Sequence, residues 1–168
     1  MTYYFSSFET PFGPFSVAVD AAGAIAATAF GRRAALSSQL GGCRLEANET
    51  RTRAARGQVL AYCAGGRREF AITLAPRGSP FQQKVWSALA KIPFGTTRTY
   101  GEIARRIGNP AASRAVGRAN ATNPICLLIP CHRVIGADGS LTGFSFGEKL
   151  KRRLLDHERT IAAATHAA

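Results

Sequence analysis

The segment Ile129-Pro130-Cys131-His132-Arg133 sets a thiol directly before an imidazole and a guanidinium. A cysteine attacks as its thiolate, and nearby cations favour that form, so Cys131 reads as a nucleophile for covalent group transfer. The competing reading is a buried structural cysteine, the commoner fate of an intracellular thiol. His132 and Glu158 would supply a base and the group that orients it, as when a nucleophile's histidine is held by a third polar residue. Neighbours along a helix do not face each other, so His132 is expected to reach the sulfur through a water. Taken singly, His132 reads as a surface histidine and Glu158 as the solvated end of a helix. Cys126, inside the apolar run Ile125-Cys126-Leu127-Leu128-Ile129, reads as core.

A second group could meet a polyanion. Arg114 and Arg118 are four residues apart and share a helix face, while Ala115 and Val116 can pack inward. The small residues Ala111, Ala112 and Ser113 would let that helix approach a nucleic-acid groove closely. Tyr100 reads by default as a packed aromatic, and Asn123-Pro124 as the turn ending that helix.

These residues need elements to hold them. Thr99-x-x-Glu102 has capping-box spacing and predicts a helix over 100–107. Gly108-Asn109-Pro110 stops it and starts another, with Asn109 as N-cap and Pro110 in the first turn, running to about Asn120. Helix, glycine-containing turn and second helix make a helix-turn-helix pattern. Upstream, Ser79 caps a helix begun by Pro80, with Phe81, Val85, Trp86 and Leu89 on one face. A last helix over 147–157 carries Lys149, Lys151, Arg152 and Arg153, with Leu150, Leu154 and Leu155 on its buried side. The first 80 residues read as a strand meander, 3–8, 15–19 and 25–30, then helices over 32–40 and 50–64 and a strand over 70–74. The proline- and glycine-dense stretch 75–80 is the expected break, giving domains 1–78 and 79–160 and a frayed tail, 161–168.

With 168 residues and 46% hydrophobic content the chain can build a real core. The net charge of +12 is uneven, +4 over residues 1–80 and +8 over 81–168, which suits a phosphate-bearing partner or simple solubility equally. No apolar run reaches the roughly 20 residues that span a bilayer, and the N-terminus lacks signal-peptide features, so no membrane partner and a cytoplasmic location are expected. Four cysteines without paired spacing read as free thiols, and no metal site is expected.

The sequence resembles the O6-alkylguanine-DNA alkyltransferases, also called methylated-DNA-protein-cysteine methyltransferases. The likeness is carried by Ile129-Pro130-Cys131-His132-Arg133-Val134-Ile135-Gly136, by Thr99-Tyr100-Gly101-Glu102-Ile103-Ala104, and by Ser113-Arg114-Ala115-Val116-Gly117. Asn123-Pro124, Leu141-Thr142-Gly143 and Leu154-Leu155-Asp156-His157-Glu158 add to it. It spans about residues 80–158, whereas the N-terminal half matches mainly in layout. The resemblance implies an α/β (α+β) fold: an RNase H-like N-terminal domain, a small antiparallel sheet with helices, then a mostly helical, winged-helix-like domain with the helix-turn-helix. It implies no cofactor and double-stranded DNA carrying O6-alkylguanine as partner, bound by a monomer that can act cooperatively on DNA.

It further implies that Cys131 takes the alkyl group in one irreversible turnover, with His132, Glu158, Tyr100 and Asn123 as the catalytic set. Tyr100 would act as donor to the guanine ring, and Asn123 would brace the site. Ala112, Ser113, Arg114, Arg118 and Arg133 would contact DNA, with Arg114 replacing a nucleotide flipped through the minor groove. Tyr100, Val134, Phe144, Ser145 and Phe146 would line the pocket, and O4-alkylthymine is a further expected substrate. Phe144 and Phe146 depart from residues common in the family, and a bulky Phe146 would narrow the pocket. Alkyltransferase-like proteins lack the reactive cysteine. A fused regulator has no room in residues 1–80, and a cysteine hydrolase would want a glycine-rich oxyanion setting.

Overall fold

The computed structural model describes residues 1–167. Two compact units form, Met1–Arg77 with Pro124–Cys126, and Gly78–Asn123 with Leu127–Ala168. The return of 124–126 to the first unit was not legible in sequence.

In the first unit, β1 (Thr2–Thr10), β2 (Gly13–Val19), β3 (Ile25–Phe30) and β4 (Arg44–Ala47) form one sheet in the order β3-β2-β1-β4. The β1–β2 hairpin closes at Thr10↔Gly13, where Gly13 takes φ 98°, a conformation that costs other residues a Cβ clash. The sheet is mixed, not purely antiparallel as expected: after β3 the chain passes through α1 (Arg33–Gln39) and enters β4 parallel to β1. β4 is only four residues long, with two of them exposed, which hides it from periodicity. On α2 (Glu49–Cys63), capped by the Asn48 side chain, Thr52, Ala55, Val59 and Tyr62 recur at helical spacing and are buried. The strand expected over 70–74 is absent; Leu74 alone bridges to Ile25, because the prolines and glycine that follow leave no run to pair.

In the second unit, α3 (Pro80–Leu89) starts with a full capping box between Ser79 and Gln82. Its Trp86 is buried and donates from Nε1 to the Ala119 carbonyl at 2.8 Å. The short strand β5 (Arg98–Thr99) runs straight into α4 (Tyr100–Arg106), whose Thr99/Glu102 capping box is complete. The next helix, α5 (Ser113–Ala121), begins later than the sequence suggested: Asn109 and Pro110 lie in a turn, with the Ala112 N–H on the Asn109 carbonyl, and Ala112 is the N-cap. The strand β6 (Val134–Ile135) pairs parallel with β5, and α6 (Glu148–Ala167) closes the unit. α6 continues ten residues past His157, where the sequence reading ended it, so 161–167 is helix rather than frayed chain; residue 168 lies outside the described residues.

Candidate active site

Cys131 opens a single 3-10 turn, Cys131–Arg133, reached through the buried run from Ile125 to Pro130. Leu127 takes φ 72° there, uncommon for a residue with a side chain, and its burial holds it in place. Immediately after the turn, β6 pairs with β5, Arg98↔Val134 and Thr99↔Ile135. That pairing brings Tyr100, the first residue of α4, alongside the nucleophile's turn.

The turn delivers its polar side chains to α6. His132 Nε2 lies 2.6 Å from Glu158 Oε2, both residues being at most 1% exposed. Arg133 Nε donates to Glu158 Oε1 at 2.6 Å, and its Nη1 donates to the Ile92 carbonyl at 2.7 Å. Gly95 N–H adds a 3.3 Å bond to the same carboxylate. Burial works to raise the Glu158 pKa, but the bonds and charges of His132 and Arg133 outweigh it and hold the carboxyl at about 2. Glu158 is therefore an acceptor only. His132 must then carry its proton on Nε2, which leaves Nδ1, buried and without a protein partner, as the basic nitrogen. Burial also lowers the His132 pKa against the pull of Glu158, so the ring rests neutral, as a base must.

Arg133 does not belong among DNA-contacting residues. It is buried, bonded to Glu158 and Ile92, with its guanidinium 5.7 Å from the Phe94 ring centre. A charge this far from water needs such partners, and its bonds to Glu158 and the Ile92 carbonyl commit it inward.

Burial pushes the Cys131 thiol above its ordinary value; a hydrogen bond from Asn123, the Lys151 charge and backbone N–H groups oppose this without reversing it. The resting sulfur is thus a protonated thiol that needs a base. Asn123 also donates from Nδ2 to the Ile129 carbonyl at 2.9 Å, fixing the segment that leads into the turn.

Two residues of this site escaped sequence reasoning. Lys151, assigned above to a basic surface, is fully buried, 3.3 Å from the Thr142 carbonyl and 5.9 Å from the Tyr100 ring centre. Burial brings its pKa down to about 8 despite the attraction of Cys131 and Glu148. The signal was present: Lys151, Leu154, Leu155 and Glu158 stand at i, i+3, i+4 and i+7, one stripe of α6. Asn120, on α5, is also buried, and its Nδ2 reaches the carbonyls of Cys131 at 3.2 Å and Gly143 at 3.3 Å. Two carbonyl acceptors fix which end of the amide faces them. Its place four residues after Val116 puts it on the inward face of α5, the one signal in the sequence that could have found it.

Beside this cluster lies a concavity of about 580 Å³, bordered by Tyr100, Ser113, Arg114, Gly117, Arg118 and Gly143 among others. Of the residues expected to contact DNA, Ser113, Arg114 and Arg118 border it, and Ala112 caps the helix that carries them. Tyr100 donates to the Thr142 carbonyl at 2.5 Å. Burial first, then the Cys131 charge, pushes its pKa up to about 12 against a hydrogen bond from Asn120, so the phenol keeps its proton. Gly143 takes φ 86°, and a Cβ there would collide with the Tyr100 hydroxyl, so glycine is required. Among the expected pocket residues, only Tyr100 borders this concavity. Val134 is buried in β6; Phe144 is buried and meets Phe146 edge to face at 5.7 Å; the Ser145 hydroxyl donates to the Ala121 carbonyl. The bonds from Lys151, Asn120 and Ser145 tie the 142–145 segment down and account for this placement. Among the described residues, no group of three or more His, Cys, Asp or Glu side chains could hold a metal ion, and no helix is long and apolar enough to cross a membrane.

A family model described as the DNA binding domain of 6-O-methylguanine DNA methyltransferase matches residues 80–160. The chain is 47% identical over 161 residues to the methylated-DNA–protein-cysteine methyltransferase of Methanosarcina acetivorans, covering 92% of this chain and 97% of that one. It is 56% identical over 107 residues to the protein of the same name from Mycobacterium tuberculosis, covering 64% of this chain and 65% of that one. The crystal structure of the Mycobacterium tuberculosis OGT in complex with DNA superposes with a TM-score of 0.83 at 38% identity, over 94% of each chain.

Proposed function

The chain belongs to the methylated-DNA–protein-cysteine methyltransferase family, and on that premise we propose that it repairs DNA by direct reversal, taking the alkyl group of O6-alkylguanine onto Cys131. The observation that carries this reading is the buried Glu158–His132 pair beside a protonated thiol. His132 Nδ1 would take the thiol proton through a water, and Glu158, kept anionic by Arg133, would stabilise the imidazolium so formed. Lys151 would favour the thiolate by its charge. The thiolate then attacks the alkyl carbon in line: the S–C bond forms, the C–O6 bond breaks, and guanine leaves with the bond's electron pair. Tyr100, protonated at rest, would donate toward the ring and neutralise that charge.

To reach the thiol the base must leave the duplex. The second helix, α5, would enter the minor groove with Arg114 filling the gap and Arg118 on the same face, while Ala112 and Ser113 permit close approach. The product thioether is a poor leaving group, which makes each chain a single-turnover reagent. O4-alkylthymine offers the same in-line displacement and is a further substrate. Phe146, packed on Phe144, would disfavour bulky adducts: Phe146→Gly should raise the benzyl-to-methyl rate ratio, and an unchanged ratio removes that role.

The test is incubation with duplex DNA carrying radiolabelled O6-methylguanine. Wild type and Cys126→Ser should each take up one label per chain, and Cys131→Ser none. Label missing from wild type, or kept without Cys131, overturns the reading.

A further inference from the structure

At the end of α4 away from Tyr100, a second concavity, about 440 Å³, opens between the later part of α3 and the last turn of α4. Lys84, Ser87, Lys91 and Arg106 border it, with Ala88 and the buried Ile107 completing the wall. All three cations are exposed, and no carboxylate is among the lining residues. The nearest acid along α4, Glu102, is occupied as a cap, its Oε2 accepting the Thr99 N–H at 2.7 Å. Two of the charges have a local reason to be there: Arg106 in the last turn of α4 and Lys91 just beyond α3 complement the helix dipoles. Lys84, in mid-helix, has none. Three like charges around one hollow repel each other within a Debye length of about 8 Å, an arrangement that an anion relieves.

We propose that this pocket seats a backbone phosphate of bound DNA, on the flank of the nucleotide under repair. The inference rests on the reading above that the chain works on DNA. Lys84, Lys91 and Arg106 would neutralise the phosphate, and Ser87 would donate to one of its oxygens. Its place along the strand follows from α4. Seven residues at 1.5 Å rise make about 10 Å between the Tyr100 end and the Arg106 end. Phosphates of one strand follow each other by about 3.4 Å along the duplex axis, so a helix that crosses the backbone at an angle to that axis puts the seated phosphate at most about three nucleotides from the flipped one.

A methylphosphonate scan tests this with the full chain. Duplexes carry O6-methylguanine and one uncharged methylphosphonate at each successive position around it, and affinity is read with the alkyl-transfer-dead Cys131→Ser background. That background should lose affinity by about three- to tenfold at one position within about four nucleotides of the lesion. Adding Lys84→Ala, Lys91→Ala and Arg106→Ala should silence that position alone and lower the salt slope of binding by about 1. A control lacking Arg44, Arg53 and Arg67 loses the same formal charge but should keep the full profile. Identical profiles for the pocket variant and its parent overturn the pocket. The wild-type chain is assayed in parallel for transfer from free O6-methylguanine base. Transfer to Cys131 with a silent scan removes the pocket and keeps the repair chemistry, whereas no transfer from base or duplex removes the reading on which both rest.

Discussion

Two cysteines five residues apart, both buried, have opposite surroundings. Cys126 sits against Thr28: the Thr28 hydroxyl donates to the Cys126 carbonyl at 2.7 Å and lies 3.5 Å from its sulfur, and the thiol donates to the Thr28 carbonyl at 3.6 Å. Those partners are neutral and satisfy a thiol as a thiol. Cys131, 4% exposed, is surrounded by Asn123, the Lys151 ammonium and the His132–Glu158–Arg133 cluster. Burial is shared, and by itself it favours the unreactive thiol at both positions. What separates them is the set of groups able to take a proton and to stabilise the negative sulfur left behind.

That contrast can be broken by removing charges one at a time. The largest effect is expected from Glu158→Gln, which frees His132 from its fixed tautomer and leaves Arg133 buried without its carboxylate. The methyl-transfer rate should fall by about 10²–10³-fold in a single-turnover assay, and a rate within threefold of wild type would remove the relay. Lys151→Met keeps the volume and removes the cation; the transfer rate at pH 7 should drop by about tenfold, the equivalent of one pKa unit on Cys131, and recover as the pH is raised. A rate loss that is the same at every pH would assign Lys151 to packing instead. Thr28→Val should cost about 1 kcal/mol of stability by chemical denaturation while the transfer rate stays unchanged, since Cys126 has no part in the chemistry.

The relay also sets how the fold responds to acid. Glu158 is held below its ordinary 4.5, at about 2, so its stabilising contribution is complete above 4.5 and disappears as the pH falls through 2. His132 is held below its ordinary 6.5, so stability is complete above 6.5 and declines as acid forces a proton onto a buried ring. Melting temperature should therefore fall from pH 6.5 downward, and the part of that fall below 4.5 should flatten in Glu158→Gln. An equal slope in both proteins would show that the carboxylate's partners contribute nothing.

The helices of the second unit are legible in the sequence because their signals are local. Ser79-Pro80 and Thr99-x-x-Glu102 are capping chemistry, and both caps are formed. β4 is not legible, because its four residues pair with a strand 42 positions earlier, and Asn109-Pro110, which reads as the start of α5, makes a turn instead. At the site, Cys131, His132 and Glu158 were legible as residue types. The 2.6 Å contact of His132 with Glu158 is not, because it depends on α6 returning 26 residues later to the nucleophile's turn. Arg133 and Lys151 were misread for one reason: a cation is expected in water unless a partner is known, and their partners, Glu158 and the Thr142 carbonyl, are distant in sequence.

The distinction between the two thiols is tested most directly by mapping the modification after complete reaction with O6-methylguanine DNA. Proteolysis leaves Cys126 and Cys131 in one fragment, with no Lys or Arg between them, and fragmentation in the mass spectrometer separates them. The methyl group is predicted on Cys131 in every modified chain. Methyl found on Cys126, or divided between the two, would contradict the account.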